Sequence, residues 1–219
     1  MKTDAQLKTD VTNELEWDPS IRASQVGVAV QNGVVTLTGH LETFAEKHAV
    51  ERAVQRVQGV KALAIELDVK LSPDHRRSDS EIAQAAEAAL RWHALVPADR
   101  VRVKVEKGWV WLDGELDWEF QRQAAQKAMR TLTGVVGVSN GITLKPSVTP
   151  GDVKLRIHDA LARHAEREAR NIEVLVNGST VTLRGRVDTW ADRAAAQGAA
   201  WSAPGIGLVV NELVVGAAA

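Results

Sequence analysis

"KGWVWLDG", residues 107–114, sets two tryptophans two positions apart in a stretch that reads as a β-strand. Alternate strand side chains share a face, so Trp109 and Trp111 lie side by side while Val110 and Leu112 point the other way. Only one of these faces can be the core of its own domain. The rest of the chain decides which, because this strand occurs three times.

"GVVTLTGHL" (33–41), "GWVWLDGEL" (108–116) and "STVTLRGRV" (179–187) are variants of one glycine-terminated strand. Aligning Gly39, Gly114 and Gly185 gives offsets of 75 and 71 residues. Twenty residues after each stands a second glycine, Gly59, Gly134 or Gly205, followed by Val60, Val135 or Ile206. Upstream, Thr3, Ser78 and Thr149 are equivalent, with Gln6, Glu81 and Asp152 three residues on. The first two spell a capping box; the third is looser, with Pro150 suited to the first helical position. Apolar residues then recur at i, i+4 and i+8, one face of a helix: Leu7, Val11, Leu15; Ile82, Ala86, Leu90; Val153, Ile157, Leu161.

Each copy continues with an alternating strand (Val26, Val28, Val30; Val101, Val103, Val105; Ile172, Val174, Val176). A tight turn and the glycine-terminated hairpin partner follow. The third turn, "NGS", reads as carrying one extra residue. An alanine-rich helix comes next, with Ala49, Ala53 and Val57 inward and Ala124, Ala128, Leu132 and Ala195, Ala199, Ala203 as equivalents. A last strand closes each copy. The expected fold class is α+β: three tandem αββαβ units, each a small three-stranded mixed sheet with two helices on one face. The boundaries fall at 1–71, a linker at 72–77, 78–146 and 147–219. Units of about 65 residues sit near the lower limit of independent stability, so docking of the three is expected.

Core residues are common to all copies, and that identifies the inward face. Val110 and Leu112 match Val35 and Leu37, and Val181 and Leu183. Trp109 and Trp111 replace Val34 and Thr36 on the opposite face. Arg100, Arg102 and Lys104, out of phase with the inward valines, make that outer face aromatic and basic. Trp201 replaces Gln55 and Arg130 on the expected solvent side of the third copy's second helix. Arg156, Arg163, Arg167 and Arg170 fall on one arc of that copy's first helix, a ridge suited to anionic head groups.

Composition bounds the function. The chain has 219 residues, 45% hydrophobic and 25% charged, with a net charge of −1, as in a globular protein. The near-neutral charge speaks against a dedicated nucleic-acid binder, and no nucleic-acid partner is expected. The absence of cysteine excludes disulfides and thiolate chemistry. Of six histidines no pair has the i, i+4 spacing of a helical zinc site. G-x-S-x-G, P-loop and G-x-G-x-x-G motifs are missing. No metal, cofactor or catalytic residue is expected, and the chain is read as non-enzymatic. "MKTDAQLKTDV" shows no export signal. The expected location is cytoplasmic, peripheral at the inner membrane, or periplasmic if this is not the native start.

The G-x-V-x-L-x-G strand, the apolar-x-x-x-A helix and the closing G-V-x-x-V-x-N-x-[IL]-x-[VL] together resemble the BON domain, a module of bacterial osmotically induced and nodulation proteins. The closing motif stands at Gly134-Val135, Val138, Asn140, Ile142, Leu144 and at Gly205-Ile206, Val209, Asn211, Leu213, Val215. The first copy has Ile65 in place of the asparagine, so a local hydrogen bond is expected to be missing there. The chain is similar to three-BON proteins without a signal peptide. The resemblance implies a non-enzymatic, stress-associated module that binds anionic phospholipid or a membrane surface. Trp109, Trp111, Arg100, Arg102, Lys104, the four-arginine ridge and Trp201 are the candidates for lipid or partner binding. The other reading is a structural or adaptor role, in which the Trp-rich faces dock a protein partner, a second copy or the neighbouring units. The repeated glycines are read as structural.

Overall fold

The structure, a computed structural model, describes residues 2–145, 157, 172–203 and 206–216. In the first unit α1 (Asp4–Trp17) leads to β1 (Val26–Gln31), β2 (Val34–Leu41), α2 (Phe44–Arg56) and β3 (Ala62–Val69). The second unit repeats this as α3 (Asp79–Arg91), β4 (Val101–Glu106), β5 (Trp109–Leu116), α4 (Glu119–Arg130), β6 (Gly137–Asn140) and β7 (Thr143–Leu144). Of the third unit, β8 (Ile172–Asn177), β9 (Thr180–Val187), α5 (Trp190–Trp201) and β10 (Leu208–Val215) are described. In each sheet the glycine-terminated strand is central, antiparallel to its hairpin partner and parallel to the closing strand.

Thr3 and Ser78 form the expected capping boxes. Leu7, Val11 and Leu15, and Ile82, Ala86 and Leu90, are buried beneath them, as is Ile157 of the third unit's first helix. Val35, Leu37, Val110, Leu112, Val181 and Leu183 are buried on the core face. Gly114 has φ +142°, and a Cβ there would run into the carbonyl of Arg100; Gly39 meets Gln25 in the same way. Gly185, Gly59 and Gly134 also have positive φ, while Gly205 lies outside the described residues.

Two expectations are corrected. The third hairpin has no extra residue: Asn177 pairs with Thr180 as Gln31 pairs with Val34 and Glu106 with Trp109. Gly178 (φ 58°) takes the left-handed first turn position that Asn32 (54°) and Lys107 (50°) take in the other copies. A glycine moved one place mimics an insertion. The buried stripe of the second helix is rotated in the second copy and widened in the third. In α4 Ala125 and Met129 are turned to the core while Ala124 and Ala128 are half-buried; in the third copy the expected Ala199 and Ala203 are buried, joined by Ala196 and Ala200, and Ala195 is exposed. In α2 both stripes are buried, Ala49 and Ala53 beside Val50 and Val54. This helix sits between its own sheet and a neighbouring unit, so burial spreads beyond one stripe.

Docking is extensive. The cores of units two and three form one apolar cluster, against which Phe44 of α2 packs. Trp190 of α5 packs on the core of unit one, and its Nε1 donates to the Val60 carbonyl at 3.1 Å. Asn140 and Asn211 tie closing strand to second helix, donating to the carbonyls of Arg122 and Arg193 at 3.1 and 3.3 Å. Ile65 cannot do so. In that unit Lys47 instead donates to the Leu67 carbonyl at 2.7 Å.

One latch was not foreseen. The Asp79 carboxylate accepts from the backbone N–H groups of Lys107 and Gly108 at 2.7 and 2.8 Å, and Asp4 holds Asn32 and Gly33 at 2.7 and 2.9 Å. Each joins the start of the first helix to the hairpin turn. The third copy carries Pro150 at this place. Asp79→Ala removes two charge-assisted bonds and is expected to cost about 1–3 kcal/mol in urea unfolding. Asp10→Ala, which loses an exposed ion pair with Lys2, should leave the midpoint nearly unchanged.

Candidate functional site

On the outer face of the second sheet Trp109 and Trp111 lie side by side, ring centroids 6.1 Å apart and planes tilted by 37°. Their placement follows from strand parity. Trp109 pairs in register with Gly137 on β6, and its indole spreads over that glycine, where a Cβ would collide with the ring. Trp109 remains 43% exposed, and Trp111 is half-buried. The Lys104 ammonium stands 5.1 Å from the Trp111 centroid, a cation–π contact.

The charge of this face differs from the expectation. Lys104 also pairs with Glu106 at 3.0 Å, and Arg102 lies opposite Asp113 in the strand register. Arg100 belongs to a 3-10 turn (Ala98–Arg100) ahead of β4 and binds Asp117 at 2.6 Å. That hydrogen bond holds the Asp117 carboxyl below its usual range. The face is therefore aromatic, and its cations have anionic neighbours. Periodicity reveals which way a side chain points but not which charge from another element meets it.

Trp201 is not a solvent-side residue. It is 9% exposed, with the Arg122 guanidinium of α4 lying 5.2 Å from its ring centroid. It is packed between the second and third units and is unavailable to a lipid surface. Arg130, its equivalent on α4, reaches the first unit and lies 2.7 Å from His48 Nε2. Burial pushes the Arg130 guanidinium down from its usual value. The guanidinium has only protons to donate, so Nε2 accepts and Nδ1 carries the proton, facing Glu51 Oε2 at 3.8 Å. The neighbouring His48 ring, followed by the Arg130 charge, lowers the Glu51 carboxyl from its usual value. Arg156, Arg163, Arg167 and Arg170 lie outside the described residues.

Other aromatic residues were passed over in the sequence. Trp17 and Trp92 are 85% and 88% exposed at the ends of α1 and α3. They stand 75 residues apart, the offset of the first two copies, and that coincidence was the available signal. Trp118 and Phe120, at the start of α4, stack at 6.4 Å and are also exposed. Among the described residues no group of three or more His, Asp or Glu could hold a metal ion, and no helix is long and apolar enough to cross a membrane.

A family model described as the BON domain matches residues 3–70, 78–146 and 151–217. The chain belongs to the BON-domain family. It is 25% identical over 146 residues to osmotically-inducible protein Y of Escherichia coli, covering 65% of this chain and 73% of that protein. Among solved structures it is similar to CdsD, a structural protein of the Type III secretion system of Chlamydia trachomatis. Identity there is 18%, with 94% and 90% of the two chains covered and a TM-score of 0.25. For the C-terminal domain of CdsD the identity is 17%, coverage 98% and 99%, and the TM-score 0.27.

The contact of α2 with α4 gives a pH dependence. Because the folded Glu51 carboxyl is lowered, its stabilisation is complete above the unfolded carboxylate value and is lost as pH falls through the folded one. Urea midpoints measured from neutral pH down through the carboxylate range should fall less steeply for Glu51→Gln than for the unaltered chain.

Proposed function

We propose that this BON-family chain is a non-enzymatic, osmotic-stress-associated binding protein that engages anionic phospholipid surfaces through the outer face of its second unit. The observation that carries this reading is the side-by-side Trp109–Trp111 pair, with Lys104 over one indole and Trp109 43% exposed. Indoles favour the membrane–water interface, where the ring leaves water while its N–H stays near polar head groups. Lys104 and Arg102 supply the contacts to lipid phosphates. The association with osmotic stress rests on the likeness to osmotically-inducible protein Y.

An adaptor role is the second reading, and one observation favours it: Trp190 and Trp201 both serve inter-unit packing. A chain that spends two tryptophans on its own docking has the surface chemistry to bind another protein with the others.

Co-sedimentation with anionic and neutral vesicles separates the two. Binding to anionic vesicles is expected, weakened by roughly tenfold or more in Trp109→Ala/Trp111→Ala, since two interfacial indoles supply well over 1.4 kcal/mol. Because the cations of this face have anionic neighbours, added salt should weaken binding less than that double substitution does. Unchanged binding by the variant, or none by the unaltered chain, rejects the lipid reading.

A further inference from the structure

Where α2 of the first unit meets α4 of the second, a cleft of about 860 Å³ lies between the helices. Two carboxylates line it, and both are engaged. Glu46 accepts from the Arg22 backbone N–H at 2.9 Å, with the Arg22 guanidinium 3.7 Å away. Glu119 pairs with Arg122 at 2.7 Å. The other charges of the lining are cations: Arg52 from α2, and Lys127 and Arg130 from α4. Among the described residues no carboxylate comes within ion-pair distance of these three. Asp18 is occupied by Ser20 at 2.6 Å, and Glu51 lies across the His48 ring from Arg130.

Helix spacing sets this cluster. Arg52 and Lys127 are equivalent residues of the repeat, 75 apart. Each stands one turn from a second residue, His48 on α2 and Arg130 on α4, and those two are joined at 2.7 Å. The joint draws two cationic turns together across the unit boundary. Arg130 is half-buried, and its one acceptor among the described residues is the uncharged His48 ring. A guanidinium has five N–H donors, so most of that capacity is unspent. Burial is the main cause that pushes Arg130 down, and the Arg52 charge adds to it against the pull of Glu51. Two guanidinium groups thus face one cleft with no anion between them.

We propose that this cleft binds a small soluble anion with two adjacent phosphate groups, of the pyrophosphate class, which bridges α2 and α4. Guanidinium forks match phosphate oxygens, and a lysine adds a point charge. Cations supplied by two helices call for more than one phosphate. The apolar lining is Pro19, Ala45 and Ala49. It offers no indole or phenyl ring for a nucleobase to stack on and no large apolar surface for an acyl chain. The ligand is therefore phosphate-rich and soluble rather than a nucleoside or a lipid. The volume is in the range of small-molecule sites. This inference concerns a different face from the lipid reading and does not rest on it.

The test is calorimetric titration of the full chain with pyrophosphate in metal-free buffer. Saturable binding is expected, with orthophosphate at least about tenfold weaker and acetate giving none. Arg52→Ala and Lys127→Ala, at exposed positions, should each weaken pyrophosphate binding by roughly tenfold. Arg91→Ala, which removes an exposed arginine paired with Glu87 on α3, should leave it unchanged. Co-sedimentation with phosphatidic-acid vesicles distinguishes a lipid source of phosphate, and Arg52→Ala should sediment with them as the unaltered chain does. Absence of saturable pyrophosphate binding, equal weakening by Arg91→Ala, or loss of vesicle binding in Arg52→Ala with pyrophosphate binding unchanged overturns the proposal.

Discussion

The second helix of each unit has to satisfy two neighbours at once, and the rest of the architecture depends on that constraint. A sheet of three strands with two short helices buries too little apolar surface to stand far above its unfolding threshold. Here Phe44 and Trp190 reach out of the helices that carry them into cores belonging to other units. Trp201 and Arg122 join the second unit to the third, and Arg130 and His48 join it to the first. Burial on a second stripe of α2 follows directly. So does the divergence among the copies, since equivalent positions face different partners.

That divergence separates what the three units share from what each does alone. The capping residues, the inward valines and leucines and the strand-ending glycine repeat because every unit needs them. The tie between closing strand and second helix is conserved as a function while its chemistry changes. Asparagines make it in units two and three, and the Lys47 ammonium makes it where Ile65 replaces the asparagine. At the head of the second helix the task itself changes, from the aromatic plug of Phe44 and Trp190 to the buried carboxylate of Glu119. The second unit is thus the specialised one, with an indole pair on its sheet and a stacked, exposed Trp118–Phe120 pair at the head of α4.

The fold was legible in the sequence because its determinants are local or periodic. Helix faces, capping boxes, strand parity and the glycines all repeat at a fixed offset. The outward direction of Trp109 and Trp111 came from the same parity. What stayed hidden depends on elements distant in the chain. Asp117 reaches Arg100 from the far end of β5, Asp79 reaches a hairpin turn almost thirty residues away, and a neighbouring unit covers Trp201. No window of sequence contains such pairs. The "NGS" turn misled for a different reason: glycine and asparagine exchange roles at left-handed positions, so a one-place shift of the glycine resembles an added residue.

The three units form one docked body, with Trp190 packed on the core of the first. Exchange of the seven indole N–H protons with solvent, followed by NMR on the intact chain, tests it most directly. The indole proton of Trp190, bonded to the Val60 carbonyl across two units, should exchange far more slowly than those of Trp17 and Trp92, which are 85% and 88% exposed. Exchange of Trp190 as fast as that of these two would mean that the units do not dock in this way.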